Sequence, residues 1–317
     1  MAYRFAIDIG ATRTMLALID AERPEIVAHD RPETDTILTG WRSPGLALAG
    51  AVERFLEERR VMLSEVEGLG IGVPGTVDRS RGIVLECPNL HVLDHTALAP
   101  EAASELRIPV YIDNNTNLIA IGEHTAGIGR GVDDMVVVFV GSGVGSGLIL
   151  RGALYEGADG GAAEIGHTVV VPNGLACTCG GHGCLEMYCS GKALTMVANT
   201  LFKPGELYAI GSRFAGARLL IEQASVGHEG ARGALTEAFT YLGIGLVNVV
   251  NTLNPRLIVL GGGIVSAWPE GVEIATAVVM NHAMPLMRRN LQIKVSQLQN
   301  YAGVHGGAAL VSSQGRL

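Results

Sequence analysis

Short apolar runs alternate along the chain with stretches in which apolar residues recur at helical spacing. The runs that predict strands are residues 3–9, 14–20, 68–73, 109–112, 135–140, 147–150 and 257–260. The stretches that predict helices are residues 46–60, 96–106, 116–125 and 231–252. Strands that alternate with helices in this way predict an α/β fold.

One arrangement of strand, glycine-rich turn and strand occurs twice, at residues 7–20 and again at 138–151. The repetition suggests two similar α/β lobes with a cleft between them, although unrelated hairpins in a glycine-rich chain give the same pattern. We expect a first lobe of residues 1–117 completed by 302–317. The second lobe, 118–301, would then carry the cysteine-rich segment described below.

Composition narrows the class of protein further. The 317 residues include 23 basic and 31 acidic side chains, a net charge of −8, which disfavours nucleic acid and anionic membranes as partners. A hydrophobic share of 48% with only 17% charged residues excludes a disordered chain. The start of the chain shows no basic region followed by an apolar stretch, and no apolar run reaches the ~20 residues of a membrane span. We therefore expect a cytoplasmic protein.

Glycine is enriched, with 43 residues or about twice the usual ~7% share. We expect four clusters to lie at strand ends: DIGATRT (8–14), GSGVGSG (141–147), GGGI (261–264) and HGGAA (305–309). Backbone amides without a nearby Cβ can cradle a phosphate, whereas ordinary tight turns use the same residues. Asp8 adds a carboxylate able to hold hydrated Mg²⁺, and Thr12 adds a hydroxyl. Together these features favour nucleotide binding.

A metal site is predicted by three cysteines within eight residues, Cys177, Cys179 and Cys184. Three thiolates and one imidazole suit tetrahedral Zn²⁺, and a closed Cys₃His site would be structural. His167 and His182 compete for the fourth position, and spacing favours neither. Free buried cysteines are the alternative.

Two carboxylates, Glu164 and Glu186, bracket this segment. They could recognise hydroxyl groups of a ligand, or they could be solvated surface charges.

Taken together, these motifs resemble the ROK family of repressors, uncharacterised proteins and sugar kinases over nearly the whole chain. The motifs that carry the resemblance are DIGATRT, GVPGTVD (72–78), CPNL (87–90), DNNTNLIAIGE (113–123), GSGVGSG, GADGGAAEIGH (157–167), CTCGGHGCLE (177–186) and VLGGGI (259–264). The resemblance implies a two-lobed actin/hexokinase-like (ribonuclease H-like) fold with an interlobe cleft. It also implies ATP with Mg²⁺, a hexose or related sugar as substrate, structural Zn²⁺ completed by His167, and a homodimer.

The resemblance also assigns roles to individual residues. The implied sugar contacts are Gly75, Asn89, Asn114, Glu164, His167 and Glu186. The implied contacts to phosphate, metal and nucleotide are Asp8, Gly10, Thr12, Gly141, Gly143, Gly262 and Gly263. The implied zinc ligands are His167, Cys177, Cys179 and Cys184.

One position departs from the family pattern. Kinases of the family read D-N-D-x-N, where the second aspartate takes the proton of the sugar hydroxyl, whereas this chain has Asn115 there. An amide can hydrogen-bond a hydroxyl but cannot accept its proton at neutral pH. The sequence therefore predicts an ATP-dependent sugar kinase with impaired activity.

The alternative function is a non-catalytic sugar-binding sensor of the same family. Repressors of the family carry an N-terminal helix-turn-helix domain, and we expect none here because the phosphate-type turn begins at Asp8. A zinc-binding scaffold would leave the glycine clusters unexplained.

Overall fold

The computed structural model describes residues 2–203 and 215–316. The strands are β1 (Tyr3–Ile9), β2 (Thr14–Asp20), β3 (Ile26–Asp30), β4 (Val66–Val73), β5 (Thr76–Asp78), β6 (Ile83–Glu86), β7 (Val110–Asn114), β8 (Met135–Val140), β9 (Val144–Leu150), β10 (Ala153–Leu154), β11 (Leu257–Gly261) and β12 (Gln292–Val295). The helices are α1 (Thr34–Leu38), α2 (Pro44–Glu58), α3 (Leu98–Leu106), α4 (Asn115–Thr125), α5 (Glu186–Cys189), α6 (Gly191–Leu201), α7 (Ala215–Ser225), α8 (Glu229–Leu253), α9 (Gly263–Ala267), α10 (Glu270–His282), α11 (Pro285–Arg288) and α12 (Ala302–Ser312). The predicted α/β class is confirmed.

The chain divides into two compact units. Unit 1 comprises Met1–Val132, Gly147–Ala162 and Gln297–Leu317, and unit 2 comprises Asp133–Ser146 and Ala163–Ser296. Unit 1 extends past residue 117 because α4 packs closely against α12: a Cβ added to Gly122 would lie 1.9 Å from the carbonyl oxygen of Ala302. The division into functional lobes at 1–117 with 302–317 and at 118–301 stays a prediction.

Unit 1 contains a five-stranded sheet in the order β3-β2-β1-β4-β7. The β1–β2 pair is an antiparallel hairpin, whereas β1, β4 and β7 run parallel. The register pairs Asp8 of β1 with Gly72 of β4, and Gly72 with Asp113 of β7. The carboxyl ends of the three parallel strands therefore lie level at one edge of the sheet.

Both faces of this sheet are covered, which explains why β1 is apolar at almost every position. Phe5, on one face, packs with Phe55 of α2 at a ring-centroid distance of 5.0 Å. Ala6, on the other face, belongs to a cluster with Val304 and Ala308 of α12.

The prediction of a phosphate-type turn at residues 305–309 is wrong. These residues lie inside helix α12, and a Cβ added to Gly306 would lie 1.8 Å from the carbonyl oxygen of Leu118. A Cβ added to Gly70 would likewise lie 2.1 Å from the carbonyl oxygen of Gly307. The glycines of this segment therefore allow α12 to pack tightly against α4 and β4.

The second five-stranded sheet has the order β10-β9-β8-β11-β12. Within unit 2, β8, β11 and β12 are parallel, and Gly261 at the end of β11 pairs with Phe139 near the end of β8. The chain passes from unit 2 to unit 1 within β9, which pairs antiparallel with β10.

Among the residues with described positions, one helix, α8, is long and apolar enough to cross a membrane by length and composition alone. Half of its most apolar 18-residue window is buried inside the protein. Leu235, Leu242 and Leu246 are among its residues with 1% exposure or less, as expected for a core helix.

Candidate functional site

In unit 1, the strand ends bring Asp8 and Asn115 together. Gly72 lies between them, and a Cβ added to it would lie 3.2 Å from Oδ1 of Asp8 and 3.3 Å from both Cα and Cβ of Asn115. A side chain at position 72 would crowd both residues. Gly72 therefore allows a carboxylate and the first residue of α4 to lie side by side.

The carboxylate of Asp8 is suited to coordinate a cation. Burial raises the pKa of its carboxyl group to about 7, and the positive charge of Arg31 opposes the rise. Its Oδ1 atom is buried and has no hydrogen-bond partner among the described residues. A hydrated Mg²⁺ would supply the missing positive charge, since hard oxygen ligands are those that Mg²⁺ prefers.

The turn after β1 is closed by its own backbone. The Gly10 amide donates to the Arg13 carbonyl at 3.1 Å, and a Cβ on Gly10 would lie 2.5 Å from that oxygen. The hydroxyl of Thr34 donates to the Gly10 carbonyl at 2.7 Å. Thr12 is exposed, so its hydroxyl is accessible to a ligand.

Asn114 fixes the start of α4. Its Oδ1 atom accepts from the Thr116 amide at 2.8 Å, which makes Asn114 the N-cap, and its Nδ2 atom donates to the Gly75 carbonyl at 3.0 Å. No hydrogen bond holds the side chain of Asn115 within the part of the chain that is described. The amide at position 115 is thus left for a ligand.

The two remaining sugar-contact candidates of unit 1 lie beside the β5–β6 hairpin. A Cβ on Gly75 would lie 2.2 Å from the Glu86 carbonyl oxygen, so no other residue fits there. Asn89 follows β6 in a turn and is half-buried.

Unit 2 contains the four-donor cluster that the resemblance implies. One donor atom from each of His167, Cys177, Cys179 and Cys184 lies within 4.8 Å of all the others. Nδ1 of His167 is 3.6 Å from Sγ of Cys177, and Sγ of Cys179 is 3.6 Å from Sγ of Cys184. A tetrahedral site with ~2.3 Å Zn–S bonds has edges of about 3.8 Å, so the donors fit Zn²⁺. His182 is exposed and lies outside the cluster.

The cluster is connected to both glutamates. Nε2 of His167 faces Oε2 of Glu164 at 3.9 Å. Partial burial raises the pKa of the Glu164 carboxyl group, and the negative charge of Glu186 adds to the rise. The two carboxylates therefore lie near enough to influence one another, which favours ligand recognition over unrelated surface charges.

Glu186 is the first residue of α5 and is only 8% exposed. Its Oε2 atom accepts from the Val144 amide at 3.0 Å, and a Cβ on Gly143 would lie 2.2 Å from that oxygen. Gly143 therefore leaves room for the carboxylate.

The predicted nucleotide glycines of unit 2 lie at the carboxyl ends of the neighbouring parallel strands β8 and β11. Gly262 has a φ of +93°, and a Cβ there would lie 2.4 Å from the Val140 carbonyl. By contrast, a Cβ on Gly141 or Gly263 would meet no atom of the described residues within 4 Å. The backbone at these two positions faces open space and can approach a ligand.

Sequence reasoning missed two residues of unit 1. Gly72 stands in the GVPG motif, but its position between Asp8 and Asn115 depends on strand register. Arg79 forms an ion pair with Asp113, with Nε and Oδ2 3.3 Å apart. No local pattern marks that contact, which joins residues far apart in the chain.

The chain belongs to the ROK family, whose model matches residues 4–314. It is 31% identical to a glucokinase of Thermotoga maritima over 97% of this chain and 96% of that protein. It is also 31% identical to a xylose repressor of Bacillus spizizenii over 98% of this chain and 77% of the repressor.

Among solved structures, a ROK family glucokinase from Streptomyces griseus in complex with glucose and AMPPNP is similar with a TM-score of 0.79. The two share 29% identity over 98% of this chain and 99% of that one. The fold is thus the two-lobed actin/hexokinase-like fold of ROK sugar kinases, as the resemblance implies.

We expect the stability of the protein to depend on pH and Mg²⁺ through Asp8. The pKa of Asp8 is 3.8 when unfolded and about 7 when folded, so its contribution to stability is present below pH 4 and is lost as the pH rises to 7. Asp8→Asn should therefore gain stability relative to the natural chain over this range, by up to about 4 kcal/mol. Thermal melts without Mg²⁺ at pH 5 and pH 8 measure the difference.

Mg²⁺ should stabilise the natural chain more at pH 8 than at pH 5 and should have little effect on Asp8→Asn. Asp20→Asn, at the partly exposed end of β2, is the matched control and should respond to Mg²⁺ as the natural chain does. Equal stabilisation of all three chains by Mg²⁺ would contradict the assignment of Asp8.

Proposed function

We propose that the protein transfers the γ-phosphoryl group of ATP to a hydroxyl group of a hexose or related sugar, with a slow chemical step. The observation that carries this proposal is that Asp8 and Asn115 lie close together at the strand ends of unit 1. A site for phosphate and cation there adjoins the position where the family has its base, and that position holds an amide.

Phosphoryl transfer depends mainly on positioning and on charge neutralisation, which the other residues can supply. Asp8 would hold hydrated Mg²⁺, which neutralises phosphate charge when bound, while Gly10 and Thr12 would contact phosphate oxygens. In unit 2, Gly141, Gly143, Gly262 and Gly263 would contact the nucleotide. The open backbone at Gly141 and Gly263 supports this assignment.

Sugar hydroxyls would be bound by Gly75, Asn89 and Asn114 in unit 1. In unit 2, Glu164, His167 and Glu186 would serve the same purpose, and structural Zn²⁺ on His167 and the three cysteines would hold these side chains in place. Asn115 would orient the reacting hydroxyl by a hydrogen bond without removing its proton. We also propose that the protein is a homodimer located in the cytoplasm.

A second candidate function is favoured by Asn115 itself. A chain that binds sugar and has no proton acceptor at the reacting hydroxyl could act as a sugar sensor without turnover. The xylose repressor similarity supports this candidate as well.

An ADP-release assay over a panel of hexoses, with ATP and Mg²⁺, tests the proposal. We expect slow, sugar-dependent release of ADP with one or a few sugars, together with a sugar phosphate identified by mass spectrometry. Calorimetry on the same sugars separates the candidates. Tight binding without ADP at high protein concentration would favour the sensor, and no binding of any sugar would contradict both.

A further inference from the structure

Arg79 is a charged residue to which the resemblance assigns no role. It follows β5, and its side chain is about one-fifth exposed. Its three guanidinium nitrogens reach three parts of unit 1. Nε lies 3.3 Å from Oδ2 of Asp113. Nη1 donates a hydrogen bond to Oε1 of Glu156, and Nη2 donates to the Gly315 carbonyl at 3.0 Å.

Asp113 is the most buried of these partners, with 1% exposure. Its Oδ1 atom accepts from the Asn114 amide at 2.7 Å and from Nδ2 of Asn117 at 3.0 Å. Burial raises the pKa of Asp113, and the charge of Arg79 is the largest influence that lowers it. A buried carboxylate without its counter-charge is strongly destabilising, so Asp113 depends on Arg79.

Asp113 in turn holds the first turn of α4. Its contacts fall on the residue before Asn115 and on the residue two positions after it. Asn114 also caps the helix. Because residue 115 lies in this turn, its side chain keeps a fixed direction only while the turn is held in place.

We propose that Arg79 is a positioning residue, which clamps the Asp113 carboxylate and through it the turn of α4 that presents residue 115 to the sugar hydroxyl. The kinetic part of this inference rests on the proposed function, whereas the clamp itself does not. Glu156 and the Gly315 carbonyl hold the outer nitrogens of the guanidinium, which keeps its positive charge beside the Asp113 carboxylate.

The kinetic test uses Arg79→Gln in a chain that already carries Asn115→Asp, where we expect turnover to be highest. We expect kcat to fall by about 10–100-fold with the KM for sugar changed less than about threefold, because a displaced turn misplaces the base but leaves sugar contacts elsewhere. Arg79→Lys should recover part of kcat, since an ammonium can pair with Asp113 but cannot reach all three partners.

The matched control is Arg4→Gln. Arg4 is as little exposed as Arg79, and its Nε lies 2.9 Å from Oε2 of Glu67, but that partner is 44% exposed. We expect this variant to keep kcat and KM. Equal kinetic constants for the Arg4 and Arg79 variants would overturn the proposal.

A second readout needs no activity. Amide hydrogen exchange at residues 114–118 should be faster in Arg79→Gln than in the natural chain, and unchanged in Arg4→Gln. Adding Asp113→Asn to Arg79→Gln should restore part of the lost Tm, because the unpaired charge is gone. If no variant phosphorylates sugar, the proposed function fails, but hydrogen exchange and Tm still test whether Arg79 holds Asp113 and the first turn of α4. Unchanged exchange and Tm in Arg79→Gln would refute this role of Arg79.

Discussion

Replacing Asn115 by aspartate is expected to raise kcat for sugar phosphorylation by about 10²–10⁴-fold, the usual contribution of a positioned general base. The substitution keeps the size and shape of the side chain. It adds a proton acceptor to a position that adjoins Asp8 and has no competing hydrogen bond within the described residues. Steady-state ADP release under saturating ATP and Mg²⁺ measures the gain.

The new carboxylate would lie beside that of Asp8, and like charges raise each other's pKa. The gain should therefore increase as the pH rises through neutrality, where the base loses its proton. Asn115→Ala is the control: it removes the amide without adding a base and should leave kcat at or below that of the natural chain. Equal kcat for the aspartate and alanine variants would show that position 115 is not where the proton is taken.

Periodicity predicted the main strands and helices of both units, because buried strands and amphipathic helices leave local patterns. The glycine clusters were harder to interpret. The clusters at 8–14 and 141–147 do contain turns between strands, at residues 10–13 and 141–143, while 305–309 lie in helix α12. A glycine that allows a helix to pack against a neighbour and one that shapes a turn look alike in sequence, and only the packing of α12 against α4 and β4 separates them.

The candidate site likewise has features that the sequence could predict and features that it could not. The cysteine-rich segment could be predicted because its ligands are close in sequence, and the family resemblance singled out His167 over His182. The proximity of Asp8 and residue 115 on either side of Gly72 could not be predicted, since it depends on the parallel register that aligns Asp8 with Gly72. The contact of Arg79 with Asp113 joins a hairpin to a distant strand end and also leaves no local pattern.

Loss of one cluster donor is expected to abolish zinc binding and to weaken sugar binding by about 10–100-fold. His167→Ala removes the donor that also faces Glu164. The Leu185 amide donates to the Thr168 carbonyl at 2.9 Å, so the segment that carries Glu186 is tied to the chain just after His167. Without the metal we expect this segment to loosen and both carboxylates to lose their positions. Elemental analysis and sugar calorimetry measure the two effects.

His182→Ala is the matched control, because His182 lies in the same segment but outside the four-donor cluster. It should retain one Zn²⁺ per chain and the natural sugar affinity. Cys184→Ser should behave as His167→Ala does. Cys87 is a buried cysteine of unit 1 outside the cluster, so the Cys87→Ser variant should still bind one Zn²⁺ per chain. If His182→Ala lost zinc while His167→Ala kept it, the ligand assignment would be reversed. If zinc were lost with sugar affinity intact, the metal would have no part in holding Glu164 and Glu186, because the carboxylates would keep their geometry without it.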